Sequence, residues 1–186
     1  MIINKEINRK FQKEFFFVRG KIDIDTKYFI DKIEDSFNSN NNLINKTGVI
    51  NLMTPIDYFV RDTKLHSIIR KIARHVDKYY NSKKTYLAAS WGFEVRPGEK
   101  TNFHDHHEAI YSGVLYLNTC NQALFFPEID EYVMAEEGTF AVWNSFLVHG
   151  TKDNQDSISK MGISFNLNEY KEWVEDPRQS DILPIQ

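Results

Sequence analysis

From residue 85 onward the chain breaks into short runs rich in β-branched and aromatic residues, each closed by turn residues. TYLAASWGFEVR stops at PGEK. AIYSGVLYLN, QALFFPE, EYVMAEEG, TFAVWNS, FLVHGT and KMGISFNLN follow in order. Runs of this kind form strands. Six or seven of them in roughly 85 residues suggest a small antiparallel sandwich or barrel. Upstream the period changes. DTKYFIDKIEDSF starts at a plausible N-cap, Asp25, and spaces Phe29, Ile30, Ile33 and Phe37 as a helix does. DTKLHSIIRKIARHVDKYY places Leu65, Ile68, Ile69, Ile72, Ala73, Val76 and Tyr80 on one stripe. SFNSNNNLINKTG, 36–48, reads as a loop between them. Helices first and many short strands after predict an α+β, mainly β fold, with the helices packed on one sheet.

Composition closes off several classes of function. The chain has 186 residues, 41% hydrophobic, enough for one domain with a real core. A net charge of −3 offers no general attraction for nucleic acid, and none is expected as a partner. Cys120 is the sole cysteine, so no intrachain disulfide forms and a reducing, cytoplasmic setting is expected. The opening MIINKEINRKFQKEFFF is too interrupted by charge for a signal peptide. No run of about 18 apolar residues is present, so no membrane partner is expected.

The segment NFHDHHEAIYSGVLYLN, 102–118, carries three histidines and two carboxylates between His104 and Glu108. If it is extended, His104 and His106 share a face, with Cα atoms roughly 6.5–7 Å apart. Asp105 and His107 then take the other face. His149, ending an apolar run, is the natural third ligand. Three imidazoles from two antiparallel strands can cap one face of an octahedron and leave positions open. Nitrogen ligands suit iron, copper, nickel or zinc, so the metal stays open at this point. Eleven residues on, Lys160 opens KMGISFNLN, and Ser164 shares its face. Tyr116 shares a face with Ser112 and Val114. A cation, a hydroxyl and a phenol near a metal make a carboxylate pocket. His66 and His75 lie on the second helix and read as surface or helix-edge residues. Cys120, in the turn NTCNQ, reads as inert. Trp143, Phe140, Phe125, Phe126 and Phe165 read as core packing.

The set HDH, SGVLYLN, EEGTFAVWNSFLVHG and ISFN, in that order, resembles the iron(II)- and 2-oxoglutarate-dependent oxygenases. Within them it looks most like a small branch found in phage and marine bacterial genomes. The match runs from about Trp91 to Asn166. The resemblance implies a double-stranded β-helix (jelly roll) in one domain, 1–186. Residues 1–84 would supply supporting helices and a strand leading into the core, 85–170 the jelly roll, and 171–186 a tail. It implies Fe(II) held by His104 and His149, with His106 where most relatives have the aspartate of His-x-Asp. It implies 2-oxoglutarate as cosubstrate, its distal carboxylate held by Lys160 with Tyr116 and Ser164. Glu108 is the alternative third ligand if the chain bends there. Rival readings are a three-histidine iron dioxygenase that does not use 2-oxoglutarate, and a non-enzymatic jelly-roll binding or structural module. The substrate expected is a small molecule or a peptidyl group. Residues 36–62 and the tail are expected to border the mouth of the site, and a homodimer is possible. If the source is viral, the host cytoplasm is the expected compartment.

Overall fold

A computed structural model of the protein describes residues 2–10, 14–39, 52–77 and 85–170. Nine strands and two helices occur among them. In chain order these are β1 (Ile2–Lys10), β2 (Glu14–Lys21), α1 (Thr26–Ser39), β3 (Leu52–Met53), α2 (Thr63–Asp77), β4 (Thr85–Val95), β5 (Tyr111–Tyr116), β6 (Cys120–Phe126), β7 (Glu131–Ala135), β8 (Thr139–Asn144) and β9 (Lys160–Glu169). Seven of the strands form one antiparallel sheet in the order β1-β2-β8-β5-β9-β4-β3, and β6 pairs with β7 in a second sheet. Two isolated bridges, His104 to His149 and Gly150 to Phe125, extend the second sheet. It thereby gains the segments around 104 and 149, and two sheets face each other.

Alternation along the strands divides the interior into two layers. On β9, Ile163, Phe165 and Leu167 turn to the helices, where they meet Phe29 and Ile33 of α1 and Leu65, Ile69 and Ile72 of α2. Phe93, Val114, Tyr116, Ala141 and Trp143 face the other way and pack on Leu124, Phe126, Val133 and Ala135 of β6 and β7. The central strands of the large sheet are therefore buried on both faces, which is why they read as near-continuous apolar runs. The helices start where the sequence places them. Asp25 Oδ1 accepts from the Tyr28 amide at 3.2 Å, and Asp62 Oδ1 from the Leu65 amide at 2.9 Å. Each satisfies an amide that the first helical turn leaves unpaired.

Four expectations need correcting. Strands precede the helices: β1 and β2 add to the large sheet through β8. EFFFVRG hid this because Phe15 and Phe17 face the second sheet while Phe16 and Val18 face the helices. Burial on both sides erases the period of two that marks a half-buried strand. FLVHGT is not a strand but carries only the bridges at His149 and Gly150. The loop expected from 36 begins later, since α1 continues to Ser39. The rest of that loop, Tyr80 and the tail 171–186 lie outside the described residues. Phe125 is half-buried, stacked on Tyr132 at 4.4 Å between ring centroids, whereas Phe126, Phe140, Trp143 and Phe165 are buried as expected. Cys120 opens β6 and is buried, its thiol donating toward Asn154 Oδ1 at 3.5 Å. His66 is half-buried on the edge of α2, its Nε2 meeting the Val60 carbonyl. No described helix is long and apolar enough to cross a membrane.

The fit of α1 on the sheet is tight at Gly92. A Cβ there would lie 2.3 Å from Ile33 Cγ1 and 2.6 Å from Cδ1. Overfilling a packed core costs about 1–3 kcal/mol. Gly92→Ala is expected to lower the free energy of unfolding by that amount, read by urea unfolding as a lower midpoint with an unchanged m-value.

Candidate metal and carboxylate site

The local order of the histidine segment comes from its partner across the second sheet. The His104 amide donates to the His149 carbonyl at 3.0 Å, and the His149 amide returns the bond at 2.9 Å. A reciprocal antiparallel pair of this kind sets side chains side by side on one face. The two rings lie 4.4 Å apart between centroids. The His106 amide donates to the Ser145 carbonyl at 2.9 Å, which turns the chain back over the sheet. Its ring comes within 4.9 Å of His104 and 5.3 Å of His149. One ligand nitrogen from each of the three imidazoles lies within 4.8 Å of the other two.

The tautomers of two histidines follow from their neighbours. His104 Nδ1 lies 2.8 Å from the Asn102 carbonyl and His149 Nδ1 2.9 Å from the Leu147 carbonyl. Each Nδ1–H donates to its carbonyl, which leaves each Nε2 as a free lone pair, the arrangement that orients metal-binding imidazoles. Burial lowers the pKa of all three: that of His104 falls, that of His149 falls well below the usual value, and that of His106 falls to about 4, with the neighbouring His104 adding to the effect. The cluster is thus neutral near pH 7 and able to coordinate.

The rest of the segment departs from simple alternation. Only His104 is bridged, and residues 107–108 form a turn. His107 swings outward, 78% exposed, with its Nε2 3.1 Å from Asp105 Oδ1. Asp105 does not take the opposite face but lines the same cavity as His104 and His106. Glu108 is exposed in the turn and stands outside the imidazole cluster.

Between the two sheets lies a cavity of about 270 Å³ that the three histidines share with Trp91, Phe93, Val114, Tyr116, Trp143, Lys160, Ser164 and Asn166. Strand register puts Lys160 opposite Val95 and Ser164 opposite Trp91 along the β4–β9 ladder. Lys160 is 2% exposed. Among the described residues its ammonium has no hydrogen-bond or ion-pair partner; it lies 5.8 Å from the centroid of the Tyr116 ring. Burial pushes its pKa down to about 7 and pushes the Tyr116 phenol up. Met53 and Ile56 line the cavity too, so the expected contribution of 36–62 to its border is met by these two residues. Sequence reasoning missed Asn166, whose Oδ1 accepts from the Ser112 hydroxyl at 2.9 Å. Its place on β9, an even six residues from Lys160, was the available signal.

No protein-family model matches this sequence, and no curated protein matches it. Solved structures do. SnoK, a non-heme alpha ketoglutarate-dependent carbocyclase from nogalamycin biosynthesis, is 12% identical over 90% of this chain and 87% of its own, with a TM-score of 0.66. A Pseudomonas putida prolyl-4-hydroxylase is 11% identical over 83% of this chain and 93% of its own, with a TM-score of 0.63. The viral collagen prolyl hydroxylase of Paramecium bursaria Chlorella virus-1, solved as its 2OG complex, is 15% identical over 82% of this chain and 96% of its own, with a TM-score of 0.58. Identities this low speak for the backbone alone, and the fold is the double-stranded β-helix, or jelly roll, of these oxygenases.

Proposed function

We propose that the protein is an iron(II)- and 2-oxoglutarate-dependent oxygenase acting on a small-molecule or peptidyl substrate. His104, His106 and His149 hold the metal. Lys160 receives the distal carboxylate of 2-oxoglutarate, with Tyr116 and Ser164 beside it. The observation that carries this reading is Lys160. A structural lysine reaches solvent or finds a carboxylate. This one is buried in the wall of the cavity that holds the three histidines, without an anionic partner among the described residues. A buried cation in that position is explained by an anionic ligand.

The donor set fits the metal. Neutral imidazoles presenting Nε2 suit iron(II), and three of them leave its charge for a dianion to neutralise. When bound, iron(II) and 2-oxoglutarate supply the oxidising power that inserts oxygen into a C–H bond. The chain's own part is positioning and exclusion of water. Phe93, Leu124 and Trp143 wall the cavity, and the lysine fixes the cosubstrate by a charge-assisted hydrogen bond. No protein acid or base is assigned. The three-imidazole set also fits a dioxygenase that uses the metal without 2-oxoglutarate, and Lys160 is what separates the two.

Each of His104→Ala, His106→Ala and His149→Ala should reduce bound iron well below one per chain, measured by anaerobic metal analysis. Full retention in His106→Ala would eliminate the three-histidine site. Lys160→Ala should keep the metal and lose 2-oxoglutarate, because an unpaired buried carboxylate costs about 3–5 kcal/mol, over a hundredfold in affinity. Lys160→Arg should recover part of it. Calorimetry on the iron(II)-loaded wild type that shows no 2-oxoglutarate binding at millimolar concentration overturns the reading.

The depressed pKa makes a further prediction with a definite sign. In the free protein Lys160 loses its proton near pH 7, while a bound carboxylate moves its pKa back up. Binding then takes up a proton above pH 7. Affinity should fall roughly tenfold per pH unit from about 7 upward, and Lys160→Arg should be flat there. The same group is a liability to the fold. The unfolded chain holds the proton more tightly than the native one, so this contribution to stability is unfavourable below pH 7 and is relieved as pH rises toward 10.5. Lys160→Met should raise Tm at pH 7 by several degrees while abolishing 2-oxoglutarate binding.

A further inference from the structure

Lys160 and the histidines leave one charged group of the cavity unused. Asp105 is 23% exposed in its side chain and lines the cavity beside His104 and His106, yet it stands outside the cluster of ligand nitrogens. One of its oxygens, Oδ1, is braced from outside by His107. Among the described residues it is the only carboxylate that lines the cavity, and no lysine or arginine is paired with it. The same cavity wall carries Trp91, whose ring lies 6.0 Å from that of His106, and the apolar Met53 and Ile56. Ile56 is 57% exposed and His107 78%, which marks this side of the cavity as the mouth. Lys160, of opposite charge, is buried in the wall of the same cavity.

A carboxylate with one oxygen uncommitted, in a wall that also carries an indole and aliphatic side chains, suits an organic cation. The carboxylate supplies a charge-assisted hydrogen bond. The indole face supplies cation–π attraction at a site partly removed from water. An anionic substrate would meet repulsion at that point, and a neutral one would leave the carboxylate with one side unmet. The cavity of about 270 Å³ lies just below the usual range of ligand sites, so the part of a substrate that enters beside a dicarboxylate is a short chain.

We propose that the substrate of this protein carries an ammonium group on an aliphatic chain, bound by Asp105 against Trp91, with the carbons behind it between Met53 and the histidine cluster. This identifies a substrate class and rests on the oxygenase reading for the word substrate; the cation site itself does not. The ammonium belongs either to a free amine or to a lysyl side chain. N-acetyl-lysinamide and n-butylamine represent these sources, and N-acetyl-norleucinamide and n-pentane-1-ol serve as uncharged controls.

The test is calorimetric binding of the four probes to iron(II)-loaded protein under anaerobic conditions, with and without 2-oxoglutarate, followed by succinate formation in air. At least one amine should bind roughly tenfold or more tightly than its control, a difference of about 1.4 kcal/mol. The better of the two amines names the source. Asp105→Asn should erase the preference with iron content unchanged, and Asp105→Glu should keep part of it. Equal binding of amine and control, no binding of either amine at millimolar concentration, or a preference that survives in Asp105→Asn overturns the inference. So does an Asp105→Asn protein that loses iron or 2-oxoglutarate and keeps the preference, since the carboxylate would then serve the metal. An amine preference in a protein that ignores 2-oxoglutarate would leave the cation site standing and remove the oxygenase. 2-Oxoglutarate binding with no amine preference would do the reverse.

Discussion

Two backbone hydrogen bonds, given in both directions between His104 and His149, govern the arrangement of the site. They join segments 45 residues apart in the chain, and they do so where the second sheet is extended by isolated bridges and not by a full ladder. Without them His149 would end a loop and His104 would begin one. With them two imidazoles stand side by side, each with its Nδ1 on a local carbonyl and its Nε2 free. His106 completes the group because its own amide is held by Ser145 on the same returning segment. Three separate main-chain contacts thus act as a rigid support for ligands that carry no regular strand of their own.

The large sheet gives the site its opposite wall. Its central strands are buried on both faces, so their residues serve one of two interiors according to parity. On β9 the odd positions Ile163, Phe165 and Leu167 hold the helices, and the even positions Lys160, Ser164 and Asn166 line the cavity. The apolar layer between sheet and helices is what makes the placement of Lys160 tolerable. A buried, unpaired ammonium opposes folding, and the aromatic and aliphatic packing on the far side of the same strand offsets it. Stability and ligand chemistry are therefore carried by alternate residues of a single strand, and neither set can shift register without displacing the other.

Much of this was legible in the chain itself. The first helix start followed from Asp25 as a cap and both helices from their apolar stripes, while the cap at Asp62 came from the structure. The six strands of 85–170 followed from β-rich runs between turn residues. Of the six proposed site residues, each one lines the common cavity. What escaped was of one kind. β2 escaped because Phe15 to Val18 are buried on both faces, which leaves no alternation to read. The non-strand nature of FLVHGT escaped because a strongly apolar run looks the same whether it forms a ladder or two bridges. The direction of Asp105 escaped because alternation holds only where the backbone stays extended, and the chain turns at 107.

The amino-acid sequence by itself determined the two helices, the six strands from residue 85 on, and the chemical inventory of the site, since period, capping and residue type are local properties. Only the tertiary structure decided that Lys160 is buried without a counter-charge among the described residues, that His104 and His149 are bridged partners, and that Asp105 lines the same cavity as the histidines. Those are statements about which surfaces exclude water and which backbone groups find each other across 45 residues or more. They depend on how two sheets close on one another, and no local pattern encodes the result of that closure.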